Sequence, residues 1–502
     1  MNWSDRLWGK SSSVGYLLIA ALLLLFTSLG SREIWTQEHR WADIVSAMFY
    51  YHDFLHPVLN GQEYYDKPLL SYWLMAGLSR LFGDLNLWAL RLPSALAGLV
   101  AIGCIYRLGT RLKDRSLGLL AGWMLLTTFY FLFWARTSNA DMLNVAGTLG
   151  AVTWYVEKKQ TPGFLNDAMF FFILALTALC KGLVGPAVVF LAILPDLLRH
   201  HHWKTHAHPR LLAAMIPAAI IYLLPFVASS YFSANGYHQN GLYLVYKENI
   251  LRYFQPFDHK GPLYAYFLFL PLYMIPWSFF FIPALFDLKS RWNALSSHSK
   301  WLAWIVFILF LFFTFSGSRR NYYILPVVPF AILMTADWIL ANNGLVKRSI
   351  WAGRLAVYSF LVFFLGVGLQ SLYYSGGGIP GFAKQLIQTA STTQPWSHWN
   401  VVMLDPESKI RFYLKLSPEI KNLSVKGEYR QQLKTTADLL QTWPVLKTAD
   451  RNTIFITRKK YDALLQNILK PSIKIEAKRT RGERFFGVTD NELPIAYIPK
   501  PV

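Results

Sequence analysis

An all-α polytopic membrane protein, with a small α/β domain at its C-terminal end, is the fold class this sequence predicts. Three observations predict it. Hydrophobic residues make up 54% of the 502 and charged residues 15%, where a soluble domain carries roughly 25% charged. Long apolar runs recur from residue 14 to residue 374, each near the ~20 residues that cross about 30 Å of hydrocarbon. Near residue 375 the composition then changes to ordinary charge density. This profile excludes a disordered chain, a collagen-like fibre and a soluble globular enzyme. The net charge of +21 does not indicate nucleic acid, because a membrane protein gathers Lys and Arg in cytoplasmic loops and beside anionic headgroups. Cys104 and Cys180 both lie in apolar runs, which leaves neither a disulfide framework nor a cysteine metal site.

The first apolar run, Val14–Gly30, follows Arg6 and Lys10 and lacks a small-residue cleavage site. It reads as an uncleaved signal anchor with its N-terminus inside. The later runs are Trp88–Gly109, Leu117–Trp134, Met142–Val156, Phe164–Cys180, Leu183–Leu198, Leu211–Phe232, Leu263–Phe286, Trp301–Phe315, Tyr322–Leu340 and Trp351–Tyr374. The expectation is about 11–13 transmembrane helices. Leu69–Phe82 is apolar but short, and counting it as a span would invert every later loop. Without it, the basic stretches 107–115, 157–159, 199–210, 287–292 and 346–354 all fall on one side, as the positive-inside rule requires. Leu69–Phe82 is therefore expected as an interfacial helix within a first outer loop at 31–87.

The domains expected are 1–374 in the membrane and 375–502 on the outer side. Gly376, Gly377, Gly378 and Pro380 break the last helix. Beyond them β-rich runs at 400–404, 452–457 and 485–490 alternate with a helical pattern at 431–443.

Ionisable groups at membrane level are costly and default to function. On this topology the outer face collects Glu38, Arg40, Asp43, Asp66 and Lys67 from the first loop, then Arg136 and Asp141, then Lys181. The later loops add Asn249, Arg252, Asp258 and His259, followed by Arg319, Arg320, Asn321 and Tyr322. Outer cations run against the positive-inside trend, and a lipid-linked phosphate is the economical reason for them. Carboxylates beside cations could deprotonate a hydroxyl while a phosphate leaves; Glu38 and Asp141 are best placed for that. Simpler readings stand beside these. Glu38 could belong to an ion-pair turn with Arg40, Asp141 could cap its helix, and Lys181 could snorkel. His259 could be a plain loop residue. The histidines at 200–208 suit a solvated inner loop better than a metal site, and the paired tyrosines at 50–51, 64–65 and 322–323 suit interface anchors.

With these residues laid out, the chain resembles bacterial GT-C glycosyltransferases of the protein O-mannosyltransferase superfamily, on the side of the lipid A aminoarabinose transferases. The resemblance rests on QEHRWADI (37–44), HPVLNGQEYYDKPLLSYW (56–73), RLPSALAG (91–98), TSNADM (137–142), LCKGLVG (179–185) and RRNYYILPVVP (319–329). It implies a multi-pass enzyme of the bacterial inner membrane whose active site and C-terminal domain face the periplasm. Such an enzyme takes a sugar from a polyprenyl-phosphate donor and passes it, with inversion, to lipid A or another envelope acceptor. The family's acidic pair in the first outer loop is Gln37-Glu38 here, so the resemblance points to Glu38 as base with Asp141 as second acid. It also implies that Lys67 contacts the donor phosphate; Arg40, Arg136, Lys181, Arg319, Arg320 and Tyr322 of the same outer face are the further candidates to hold donor or acceptor phosphates. A divalent metal such as zinc would lie on Asp66 and His259. Transfer to protein hydroxyls is the alternative acceptor reading. A lipid-linked sugar flippase is the alternative class, set against by charges gathered at one interface and the lack of a repeat; a non-catalytic homologue is motivated by Gln37.

Overall fold

The structure is a computed structural model. It describes residues 12–35, 37–199, 208–232, 238–255, 260–341, 346–425, 433, 435–448, 450–469, 471–485 and 492–500. The chain divides into two compact units: Met1–Leu29 with Tyr65–Val367, and Gly30–Tyr64 with Gly368–Val502.

The first unit is helical and multi-pass. Each apolar run within it folds as helix, including Ser12–Phe26, Leu87–Leu112, Asp141–Lys158, Phe164–Lys181, Val184–Arg199, Pro209–Tyr231 and Ser297–Phe315. Six helices among the described residues are long and apolar enough to cross a membrane, and a bent pair makes a possible seventh. That is fewer than the 11–13 expected, because several runs are short or broken. Arg115–Leu126 and Phe129–Ala135 meet at 69°, and the run expected at 263–286 splits into Ala265–Tyr273 and Ser278–Arg291. The two breaks satisfy each other's polar groups. Phe129 N–H donates to the Ile275 carbonyl at 3.0 Å, and Trp277 Nε1 donates to Thr127 Oγ1 at 3.2 Å. In hydrocarbon an opened helix survives only with such partners.

Leu70–Leu81 is a helix of 12 residues. At about 18 Å it is too short to span. Its Ser71 Oγ donates to the Cys180 carbonyl at 3.0 Å, which ties the start of this helix to the end of Phe164–Lys181.

The second unit joins the first outer loop to the C-terminal region. Four strands, β1 (Val58–Leu59) and β2 (Gln62–Glu63) in a hairpin, and β3 (Asn400–Met403) with β4 (Thr453–Arg458), precede β5 (Ser472–Glu476) and β6 (Pro494–Pro499). The last four form one mixed sheet ordered β3-β4-β6-β5, with β3 and β4 parallel and the other pairs antiparallel. Strand alternation gives the sheet two buried faces. Ile454, Ile456, Ala496 and Ile498 pack with Phe382 and Leu386 of the helix Gly378–Ala390. Phe455, Ile495 and Tyr497 pack with Leu439, Trp443 and Tyr461 on the other face. The α/β character expected for 375–502 is present. Of the run expected as strand at 485–490, Phe485 ends the short helix Arg481–Phe485, and 486–490 lie outside the described residues. The strands β5 and β6 were not expected from the sequence.

The stretch 30–64 is held to this domain by long-range bonds. The Glu33 carboxylate accepts from Ile379 N–H at 3.1 Å and pairs with Lys409 at 3.6 Å. Ile34 N–H donates to the Tyr413 hydroxyl at 2.8 Å.

Candidate active site

Asp66 and Lys67 lie in the first unit, just ahead of the helix Leu70–Leu81. The Lys67 ammonium sits 3.3 Å from the Asp66 carboxylate and 3.6 Å from that of Glu248. Glu248 in turn pairs with Arg252, four residues on. Burial opposes the charge of Lys67, but Asp66 and Glu248 outweigh it and hold its pKa above the ordinary lysine value. Lys67 is therefore a fixed cation at neutral pH. The Tyr72 hydroxyl donates to Asp66 at 3.3 Å. Glu248 lies within a π-helical turn, Lys247–Leu251, and Arg252 follows it, an irregularity that concentrates at functional sites.

A second pair stands beside this one. Asp141 opens the helix Asp141–Lys158, and Lys181 closes Phe164–Lys181. Their side chains form a direct ion pair, each 12% exposed. Asp141 is not spent on capping, because Asn139 Oδ1 already accepts from Met142 N–H at 2.8 Å. The Lys181 ammonium also lies 5.0 Å from the Tyr323 ring centroid, a cation–π contact. Asn249 ties the turn that carries Glu248 to the chain just past Lys181: its Oδ1 accepts from Leu183 N–H at 2.6 Å, and its amide donates to the Val245 carbonyl at 2.7 Å. Gly182, between Lys181 and Leu183, has φ +94 and would set a Cβ 2.6 Å from Asn249 Oδ1. Only glycine fits there.

The other expected phosphate ligands divide. Tyr322 is 8% exposed and packs at 4.7 Å on Trp134, with the Arg320 guanidinium 5.8 Å from its ring. Arg136 and Arg319 both donate to backbone carbonyls. Arg136 donates to the carbonyls of Leu24, Leu25 and Thr27 at 2.7, 3.0 and 2.8 Å. It thus satisfies the open C-terminal carbonyls of Ser12–Phe26. Arg319 donates to the carbonyls of Gly261 and Thr314. Both guanidinium groups tie chain to chain.

Glu38 and Arg40 belong to the second unit. Glu38 is 1% exposed at the start of the helix Glu38–Tyr50. Its carboxylate accepts from Trp35 N–H at 2.8 Å and lies 3.6 Å from Arg32. The ion-pair turn is thus present, though with Arg32 as the cation. Arg40 donates to the Tyr64 hydroxyl at 2.9 Å. In the same helix Asp43 is 6% exposed. Burial pushes its carboxyl up to about 7 against the pull of Arg411.

The expected metal pair is represented by Asp66 alone, since His259 lies outside the described residues, as do the histidines at 200–206. Among the described residues no three His, Cys, Asp or Glu side chains come together to hold a metal. The Asp66 carboxylate faces Lys67 and Tyr72 instead.

Glu248 was not singled out by the sequence, and Tyr323 only as an interface anchor. The available signal was an i,i+4 Glu–Arg pair in KENILR (247–252), polar residues between two long apolar runs.

Comparison with known proteins bears on this arrangement. Residues 66–228 match the family described as dolichyl-phosphate-mannose-protein mannosyltransferase. An uncharacterised protein of Aquifex aeolicus is 27% identical over 435 residues, 82% of this chain and 83% of its own length. The undecaprenyl phosphate-alpha-4-amino-4-deoxy-L-arabinose arabinosyl transferase of Shewanella sediminis is 26% identical over 347 residues, 65% of this chain. The match spans 60% of that transferase's length. Among solved structures, ArnT from Cupriavidus metallidurans bound to undecaprenyl phosphate superposes with a TM-score of 0.69 at 17% identity, covering 97% of this chain and 98% of its own. The oligosaccharyltransferase of Archaeoglobus fulgidus gives a TM-score of 0.55 at 12% identity, over 91% of this chain and 71% of its own. The chain has the GT-C fold, and the expected likeness to the aminoarabinose transferase branch is present in sequence and in fold.

Proposed function

We propose that this chain, a membrane glycosyltransferase of GT-C fold, takes a sugar from a polyprenyl-phosphate donor and passes it to a phosphorylated envelope lipid such as lipid A. The observation that carries the reading is Lys67, a half-buried ammonium held between Asp66 and Glu248 beside Arg252. Two clustered cations at membrane level suit the phosphate of a lipid-linked sugar. The acceptor hydroxyl oxygen attacks the anomeric carbon as the bond from that carbon to the phosphate oxygen breaks, which inverts the centre. Lys67 and Arg252 take up the charge left on the phosphate. The hydroxyl proton passes to a carboxylate, Glu38 or Asp141. Any divalent cation would be held by Asp66 with His259, and loss of turnover on chelation, restored by added zinc, would test that ligand set.

The reading places the enzyme in a bacterial inner membrane with its site on the periplasmic side, as the basic stretches at 107–115 and 287–292 on the opposite face support. Mass spectrometry of lipid A and of the undecaprenyl-phosphate fraction, with and without the gene, tests donor and acceptor together. The expected result is a sugar-sized mass lost from lipid A, with the prenyl-linked precursor accumulating. Accumulation with unchanged lipid A would move the acceptor to protein or another glycan. No change in either fraction would overturn the transfer reading.

A further inference from the structure

The membrane-spanning helices carry a second polar site at the ends opposite Lys67 and Lys181. Asp141–Lys158 begins at the ion pair with Lys181 and ends beside Lys159. Val184–Arg199 begins next to Leu183 and ends at Arg199, while Ser297–Phe315 runs the other way. Helices of 16 to 19 residues put about 24–28 Å between their two ends. At the far ends lies a cavity of about 1180 Å³, larger than a typical small-molecule pocket of roughly 300–1,000 Å³.

Its lining divides into two kinds of surface. Trp301, Trp304, Leu198 and Ile308 give it apolar walls, and Trp304 is 44% exposed. Arg111, Lys159, Arg199 and Lys300 give it cations. The two carboxylates in the lining, Glu157 and Asp196, are already neutralised, Glu157 by Arg107 at 2.7 Å and Asp196 by Lys159 at 2.9 Å. Arg111, Arg199 and Lys300 make no ion pair with a carboxylate among the described residues, and Lys300 stands 6.0 Å from the Trp292 ring. The cavity thus carries a surplus of about three positive charges beside aromatic and aliphatic walls. Water alone does not call for that arrangement, and a small soluble anion would use the cations but not the walls.

We infer that this cavity binds the phosphate headgroup of an anionic glycerophospholipid, with the first carbons of its chains on Trp304, Leu198 and Ile308. Basic pockets between membrane helices on the positively charged side take such headgroups, and Trp and Arg supply the amphipathic belt around them. The site is about a membrane thickness away from Lys67, so it holds a lipid that is neither donor nor acceptor.

The test uses the full-length protein, purified in mild detergent and examined by native mass spectrometry with added phosphatidylglycerol or phosphatidylcholine. The expected result is retention of phosphatidylglycerol in preference to phosphatidylcholine. In the triple variant Arg111→Ala, Arg199→Ala, Lys300→Ala that retention should weaken roughly a hundredfold, since each cation near an anionic headgroup contributes about fivefold. A companion triple variant, with lysine at 111 and 199 and arginine at 300, should keep it, and its melting temperature guards against misfolding. Equal retention of the two lipids would overturn the inference, as would an alanine variant that binds like the parent. Glycerol phosphate competing as well as the intact lipid would also overturn it, assigning the cavity to a soluble anion.

Discussion

Asp141 and Lys181 are paired head to tail: the carboxylate opens one helix and the ammonium closes the next. Each charge therefore faces the favourable end of its own helix dipole as well as its partner. Removing one member leaves a buried charge alone, at a cost of about 3–5 kcal/mol. Asp141→Asn and Lys181→Met should each lower the melting temperature, while the double variant should recover much of the loss. Turnover should stay low in all three. Recovery of turnover with stability in the double variant would make the pair purely structural.

Lys67 should behave differently. Lys67→Ala should lower kcat/KM at least a hundredfold for a polyprenyl-phosphate donor, with the protein still inserted. Lys67→Arg keeps the charge but replaces a compact ammonium by a planar fork, so partial activity is expected. Full activity of Lys67→Ala, assayed with purified donor, would remove it from the site.

Glu38→Gln preserves the acceptor for Trp35 N–H but removes the negative charge. A proton-accepting role then shows as turnover lost by about a hundredfold or more, with an unchanged melting temperature. If both quantities hold, Asp141 is left as the base to pursue.

Asp43 gives a pH test in the second unit. Its folded carboxyl keeps its proton up to about pH 7, against an ordinary value of 3.8. Stability from this group is complete below pH 3.8 and declines as pH rises toward 7, because the unfolded chain ionises first. Asp43→Asn removes that decline. The variant should be more stable than the parent at pH 8 by on the order of 4 kcal/mol, and close to it at pH 4. Thermal melts at the two pH values read the difference directly.

Arg136→Ala should separate anchoring from substrate binding. Its loss uncovers three carbonyls at the end of Ser12–Phe26, so a lower melting temperature is expected with KM for donor unchanged. A raised KM at constant stability would return Arg136 to the phosphate ligands.

The spanning runs were legible because hydrocarbon imposes one rule on composition, and Leu211–Phe232 or Trp301–Phe315 cannot satisfy it by accident. Charges that violate that rule stood out as candidates, and the structure draws Asp141 and Lys181 into an ion pair and sets Lys67 against Asp66 and Glu248. The carbonyls that hold Arg136 could not be read from sequence, because an intramembrane cation looks alike whether it faces a phosphate or a helix end. Glu248 escaped for the opposite reason: in a polar stretch between spans, a carboxylate breaks nothing. The breaks at Thr127–Thr128 and Ile275–Trp277 depend on each other across 150 residues, and no local pattern carries that. Nor does any local pattern join Glu33 to Ile379. Prolines 494 and 499 at the two ends of β6 hid a strand, although strand ends tolerate proline.

Asn249 has the last consequence. One side-chain amide is bolted to the backbone on both sides, at Val245 within its own turn and at Leu183 beyond Lys181. Glu248, its neighbour, carries the contacts to Lys67 and Arg252. The turn that carries Glu248 and the residue two places past Lys181 are thus fixed to one another by a single side chain, whose removal would untie both at once.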